Sequence, residues 1–388
     1  MSNMRAARRV AAALASVLLA MATCGCWDAL DIDKRAFVAI MGLDPEEPGQ
    51  DHRPHVSLMV PPIGGVSDSG GGGAAGGGEG KPAKVLVVDD SGVNVEEAVE
   101  KMRSVVGGVL DISTMQYAVT SRDASPDDVI GALYAIQFLR FVPMTPFVFA
   151  TEQKASDLLR AESPTGRSFV DMLETMRVQS PLGLGHVHYP QAWELMAMLI
   201  NKTGDMMLTL INSTDRGDGL EAVGAAVYDG AKYVGTVAPT DAMMLHCVAR
   251  RRCSGGIYLF QADDRELLIR IIRARTEVRA ERGADDLPRL SVNMRANAVL
   301  MDSGGYRLPL LNRKKLDELE PVAARDMEAR LNRLLERLQG WNSDAMRLYH
   351  EVRVRMPEMS YEDFKKVYPR VEVDFTVSVA LTRTGLLR

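Results

Sequence analysis

The chain has 388 residues, a formal net charge of −5, 46% hydrophobic and 25% charged residues. Those are ordinary globular proportions, and the length suggests two or three domains at about 100–200 residues each. The acidic balance argues against a nucleic-acid partner, which requires a basic patch.

Arg5, Arg8 and Arg9 precede "VAAALASVLLAMA", an uncharged run from Val10 to Ala22. A basic stretch followed by a short apolar one is the pattern of a secretory signal peptide. The run falls short of the roughly 20 apolar residues that a spanning helix needs. "MATCGCWDALD" (21–31) follows. A cysteine placed first after a cleavage site suggests bacterial lipoprotein processing, in which its thiol becomes a thioether to diacylglycerol before the leader is cut. Cys26 suits this better than Cys24, because Gly25 before it is small and Thr23 is bulkier. Thr23 also stands where Leu is usual. The other reading is a plain secreted protein whose two cysteines bridge elsewhere; their placement at the leader boundary argues against it. One acyl chain anchors marginally and two anchor stably, at about 0.8 kcal/mol per buried methylene. Residues 1–25 are therefore expected to be a leader, Cys26 the lipid attachment, and the rest an extracytoplasmic body tethered to a membrane. Loss of the three leader arginines takes the formal charge from −5 to about −8.

Along the body, "RAFVAIMGLD" (35–44) reads as a strand and "RPHVSLMVPP" (53–62) as its partner, with Val56, Leu58 and Val60 alternating against Ser57 and Met59. The Gly-dominated stretch 64–80 reads as a flexible loop; it lacks the Gly-Lys-Ser/Thr ending of a phosphate cradle. "AKVLVVDDSG" is strand and turn. Asn94 and Glu97 stand at capping-box spacing before a helix. "MQYAVTS" (115–121) is a strand. Ser125, Pro126, Asp127 and Asp128 form a helix start, with the helix running to about Arg140. The two prolines of "FVPMTPFVFA" (141–150) predict an edge strand. Three helices follow, in "TEQKASDLLRAES", "GRSFVDMLETMRVQS" and "YPQAWELMAMLINKTGD".

"NSTDRGDGL" (212–220) is linker-like. "EAVGAAVYDGAKYVGTV" is a hairpin joined at Asp229-Gly230. "PTDAMMLHCVARRR" is a helix capped by Thr240 or Asp241, and "SGGIYLF" a strand. Residues 265–281 could be helix or strand; the period-2 set Leu268, Ile272, Ala274, Thr276 and Val278 favours a long strand. "RLSVNMRANAVLMD" is a second strand. Leu316, Leu319, Ala323, Met327, Leu331, Leu334 and Leu338 recur at steps of three and four, one apolar stripe on a long helix. Ser360 and Asp363 cap a short helix. In 370–385, Val371, Val373, Phe375, Val377, Val379 and Leu381 alternate with Glu372, Asp374, Thr376 and Ser378, as in a strand of a one-sided sheet. Strands with a long helix across one face make an α+β layer. The expected units are 26–211, an α/β domain carrying the Gly-rich loop; 212–262, a small middle domain with hairpin and helix; and 263–388, an α/β domain.

No chemical signature stands out. His186 and His188 would share a face on a strand, half a metal site, but zinc needs two more ligands and none is nearby in sequence. His246 and Cys247 are helix neighbours, about 100° apart, and cannot form a dyad. Asp89-Asp90, Asp127-Asp128 and Asp285-Asp286 fall at turns or caps. Arg250-Arg251-Arg252 reads as a helix C-terminus complementing the dipole. The 22 methionines read as core filler. Cys247 and Cys253 could bridge or remain free thiols, because pairing depends on geometry. No catalytic, cofactor-binding or metal residue is expected.

Four stretches together resemble the Ger(x)C family of spore germination lipoproteins, the C subunits of nutrient germinant receptors. They are "CGCWDALDIDKRAFVAIMGLD"; "MQYAVTSRDA" through "FVFATEQKASDLL"; "AVGAAVYDGAKYVG"; and "YPRVEVDFTVSVALTRTGLL". Gln153 stands where the family usually has Gly, Tyr228 where it has Phe, and the stretch 64–80 replaces a shorter connection. The resemblance implies lipid on Cys26 and three consecutive mixed α/β domains, the last with a long helix packed on an antiparallel-rich sheet. It also implies a non-enzymatic subunit that binds integral-membrane A and B subunits at the outer face of the inner spore membrane. A solute-binding lipoprotein serving a transporter is the alternative; the nature of any small-molecule ligand is left open.

Overall fold

The computed structural model describes residues 34–45, 53–61, 85–138, 145–161, 168–179, 189–214, 216, 219–283, 285–302 and 313–383, with Ala13 and Ser16. Cys24, Cys26, the whole Gly-rich stretch 64–80, His186 and His188 lie outside the described residues.

The first half builds one mixed sheet. Its strands are β2 (Ile40–Asp44), β3 (His55–Val60), β4 (Leu86–Ser91), β6 (Tyr117–Ser121), β7 (Phe147–Thr151), β8 (Met207–Ser213), β9 (Leu220–Asp229) and β10 (Lys232–Val237), in the order β10-β9-β8-β7-β6-β2-β3-β4. The central pairs β2/β6, β6/β7 and β7/β8 are parallel, and the flanking pairs are antiparallel. A separate parallel pair joins β1 (Arg35–Phe37) to β5 (Val109–Asp111). Parallel strands require crossovers, and helices supply them: α1 (Val95–Arg103), α2 (Pro126–Phe138), α3 (Ala155–Leu159), α4 (Phe169–Gln179) and α5 (Ala192–Asn201).

Local signals set these elements. Asn94 caps α1 by accepting the Glu97 N–H at 2.9 Å; Glu97 reaches back to the N–H of Val93 at 2.6 Å, one residue before the usual capping-box target. Ser125 accepts the Asp128 N–H at 3.1 Å at the start of α2. Two apolar clusters cover the two faces of the sheet, one holding α1, α2 and α5 residues and the other α3 and α4 residues. Consequently Ser57 and Met59 are buried along with Val56 and Leu58; β3 has no wet face.

Two expectations change. β7 is interior, between β6 and β8, not an edge strand. Pro146 lies just ahead of it, so no ladder donor is lost within the strand. The linker-like stretch 212–220 connects two antiparallel neighbours, β8 and β9. Its polar, Gly-rich composition marks a hairpin loop.

The second half is a five-stranded sheet. β11 (Arg252–Cys253) and β12 (Ile257–Ala262) both pair with β13 (Arg265–Arg282), followed by β14 (Pro288–Asp302) and β15 (Glu372–Arg383). All pairs are antiparallel except β14/β15, which runs parallel from Arg289↔Glu372 to Leu300↔Arg383. The long helix α7 (Arg313–Gly340) buries its whole predicted stripe, Leu316 to Leu338, against one face. Each fully buried leucine contributes about 1.5–3 kcal/mol relative to exposure. The short helices α8 (Tyr349–Arg355) and α9 (Tyr361–Val367) follow, and Ser360 caps α9 as read, accepting the Asp363 N–H at 3.1 Å.

Segment 212–262 is divided between the two sheets. Its hairpin β9–β10 extends the first sheet. Its helix α6 (Pro239–Ala249) packs in the core of the second, which also takes in Met207, Ala225, Val227 and Val237 from the first. Pro239 opens α6 after Ala238, ahead of the expected caps Thr240 and Asp241. The Asp241 carboxylate instead pairs with Arg330 at 3.0 Å and Arg337 at 3.4 Å on α7.

Candidate functional site

The densest group of buried charge lies where the two sheets meet. α5 ends on Lys202 in the left-handed region (φ 49°), and Gly204 turns the chain at φ 147°. Any side chain at Gly204 would press on Arg347, whose Cγ would lie 2.9 Å from an added Cβ. This turn delivers Asp205 into the junction with its carboxylate almost wholly buried. One oxygen accepts the Gly230 N–H at 2.8 Å; the other accepts the Asp344 N–H at 2.6 Å and the Lys365 ammonium at 2.6 Å. Lys365 also pairs with Asp229 at 2.7 Å and donates to the Asn342 carbonyl. Asp344 in turn accepts the N–H groups of Leu348 at 2.7 Å and Tyr349 at 2.9 Å, closing the first turn of α8. Burial pushes the Asp344 carboxyl up to about 7, although those two N–H donors pull it down; the nearby Asp205 charge adds to the rise.

Beside this group a cleft of about 380 Å³, counted to its open mouth, is lined by Pro190, Glu194, Met198, Asp205, Arg250 and Arg347. Arg250 holds Glu194 by two parallel bonds of 2.7 Å, tying α6 to α5. Burial opposes ionisation of Glu194, but Arg250 outweighs it and keeps the carboxyl below its usual range. Arg251 donates to the carbonyls of Val248 at 2.6 Å and Arg347 at 3.1 Å and pairs with Glu351 at 3.4 Å. The acids and bases here neutralise one another across the junction. Such an arrangement locks two bodies together, because removing one partner leaves a buried charge uncompensated.

The sequence candidates scatter. His246 is buried on α6; burial, with Arg250 close by, pushes its imidazole down to about 4. Cys247 and Cys253 form a disulfide with Cα atoms 4.9 Å apart. The three consecutive arginines part: Arg250 and Arg251 go to the junction, and Arg252 to the exposed face of β11. Asp89 pairs with His55 at 3.3 Å and with Arg160; Asp90 accepts the Ser91 N–H at 2.7 Å; Asp128 serves the α2 cap. Asp285 accepts the Leu287 N–H at 3.3 Å in the β13–β14 turn, and Asp286 takes a left-handed conformation there. Among the described residues, no group of three or more His, Cys, Asp or Glu could hold a metal ion, and no helix is long and apolar enough to cross a membrane.

Two of the quoted motif stretches meet in space. Asp44, at the end of β2, accepts the N–H groups of Ala155 at 2.5 Å and Ser156 at 2.9 Å and so caps α3. Gly42 leaves room for this approach, since a Cβ there would lie 3.2 Å from that of Ala155. Gln153 binds Ser213 at the end of β8, with bonds of 2.8, 2.9 and 3.1 Å. Asp205, Asp344 and Lys365 carried no local sequence signal; Asp205 reads only as a residue past a helix end.

Residues 28–213 match the family model of the spore germination protein N-terminal domain, and residues 223–385 match that of the spore germination B3/GerAC-like C-terminal domain. Among solved structures, the chain is similar to the crystal structure of the GerBC protein at 13% identity and a TM-score of 0.49, over 88% of this chain and 97% of that one. Comparison with curated proteins returns no match. With both domain models met in chain order across the body, the chain belongs to the GerAC-like family of spore germination proteins, the C subunits of germinant receptors.

Proposed function

We propose that the chain works without catalysis, as a lipid-anchored subunit that assembles with the integral-membrane A and B subunits of its receptor at the outer face of the inner spore membrane. The observation that carries this reading is the family match, which begins at residue 28, just past Cys26, and continues to residue 385. A leader ending at Gly25 would place the acylated cysteine directly ahead of the folded body. The buried ionisable groups at the junction support an assembly role, since they are spent on holding the two sheets together.

Cys26→Ala tests the anchor. After a wash at about 1 M salt, which screens charge-driven attachment, the variant is expected to leave the membrane pellet, and germination is expected to be impaired; a variant still wholly in the washed pellet defeats the reading. Co-purification of the A and B subunits with the tagged native chain tests the assembly. The solute-binding alternative would gain from micromolar binding of an amino acid or sugar by calorimetry.

A further inference from the structure

The second sheet has a covered face and one that is exposed over much of its described length. α7 lies on the first. On the other, the strand register puts arginines opposite one another: Arg252 of β11 faces Arg275 of β13, and Arg275 faces Arg295 of β14. All three are exposed. The next row holds the exposed Arg273 opposite Asn297, and the row beyond it the exposed Ile257, the half-buried Arg270 and the buried Val299. None of these five arginines has an acidic partner among the described residues. At the far end of the same face the pattern reverses, and Arg279 pairs with Glu277, and Arg289 with Glu372. The unpaired cluster is bordered by apolar side chains that also reach solvent: Ile257, Leu259 and Met301, at 39%, 46% and 40% exposure.

Like charges placed directly opposite on a sheet destabilise it. Here that arrangement sits on a chain with a formal charge of −5. An anionic surface would repel the rest of the body and attract this face, which fixes orientation as well as affinity.

We propose that this arginine face of the second sheet docks on the anionic phospholipid headgroups of a bilayer, with Ile257, Leu259 and Met301 reaching toward the interface. A membrane fits better than an acidic polypeptide because the arginines lie side by side on three neighbouring strands and repeat at strand spacing, about 4.8 Å across and about 6.8 Å along. That suits a plane of phosphates, each able to take a guanidinium bidentately. The proposal rests on the reading that the body sits beside a bilayer, but not on acylation of Cys26.

The test uses the chain carrying Cys24→Ser and Cys26→Ser, which cannot be acylated. It is sedimented with vesicles of phosphatidylglycerol and phosphatidylcholine, or of phosphatidylcholine alone. Binding is expected to the mixed vesicles only, and to be lost as ionic strength rises from about 0.1 M to about 1 M, where the Debye length shrinks from about 10 to about 3 Å. Arg275→Gln with Arg295→Gln should weaken it by about 10- to 30-fold, at roughly fivefold per basic residue. Lysine at both positions should keep most of the binding. Absence of binding to the mixed vesicles, equal binding to neutral ones, or an unchanged glutamine variant overturns the proposal; the first outcome points instead to an acidic protein partner. Failure of the Cys26→Ala fractionation leaves this result untouched, so the two readings are separately testable.

Discussion

Asp205 accepts the backbone N–H of Asp344 at 2.6 Å, so the turn that enters β8 is bonded to the turn that follows α7. The two residues are 139 positions apart along the chain, and Lys365 supplies the counter-charge to Asp205 from a third element. Removing the Asp205 carboxylate orphans two N–H groups and takes from a nearly buried ammonium its most buried carboxylate partner. Asp205→Ala is expected to cost about 3–5 kcal/mol in urea denaturation. Asp229→Asn removes a partly exposed partner of the same lysine and should cost about 1 kcal/mol or less. Equal effects would show that the ammonium is not held chiefly by Asp205.

Two buried groups make opposite contributions to stability against pH. His246 is held down at about 4, below its ordinary 6.5, so its contribution is intact above pH 6.5 and lost as pH falls through 4. Asp344 is held up at about 7, above its ordinary 3.8, so its contribution is intact below 3.8 and lost as pH rises through 7. Between these limits the two effects oppose. Asp344→Asn should therefore lose stability as pH falls from about 6.5 to about 4, and His246→Gln should gain stability as pH falls from about 7 to about 5. Melting curves across that range, with the native chain as the flatter reference, check both signs.

The disulfide between Cys247 and Cys253 joins the end of α6 to β11 across a separation of six residues. So short a loop gives about 2 kcal/mol by restricting the unfolded chain. Cys253→Ala should lower the melting temperature by about 2–4 °C, and a reducing agent should lower that of the native chain by a similar amount without affecting the variant.

Gly235 on β10 lies flat against the indole ring of Trp341, just past α7. The Arg337 guanidinium sits 4.9 Å from the centre of the same ring. A methyl group at position 235 would overlap the ring. Gly235→Ala is expected to cost about 1–3 kcal/mol and to shift tryptophan emission to the red as the ring moves toward water. An unchanged spectrum would show that the backbone of β10 yields instead.

The elements that could be read from the sequence are those written in neighbouring residues. Asn94 and Ser360 mark helix starts, Asp229-Gly230 marks a hairpin, and the stripe from Leu316 to Leu338 marks a buried helix face. The long strand β13 was decided by β-branched alternation, and the alternation of β15 follows its burial. Partner choice was not legible. Nothing near Phe147 says that β7 has a strand on each side, and the prolines before it pointed the other way. The parallel pairing of β15 with β14 depends on the crossover through α7 to α9. The junction lay hidden for the same reason: Asp205, Asp344 and Lys365 are 139 and 160 residues apart along the chain when measured from Asp205. The arginine face was half visible, because β13 alternates arginine with apolar residues, but only register shows that Arg275 lies between Arg252 and Arg295.

The placement of β9 next to β8 has a practical cost for anyone dividing the molecule. The two family matches end at residue 213 and resume at residue 223, a natural-looking place to cut. A cut there would sever the loop between two hydrogen-bonded neighbours and strip the hairpin from the larger sheet. The upstream fragment would then present β8 as a bare, apolar edge, an invitation to pair with other copies. The downstream fragment would carry a two-stranded ribbon with no sheet to lean on. Separate halves are expected to precipitate or misassemble, whereas a break placed after Val237 would keep the larger sheet whole.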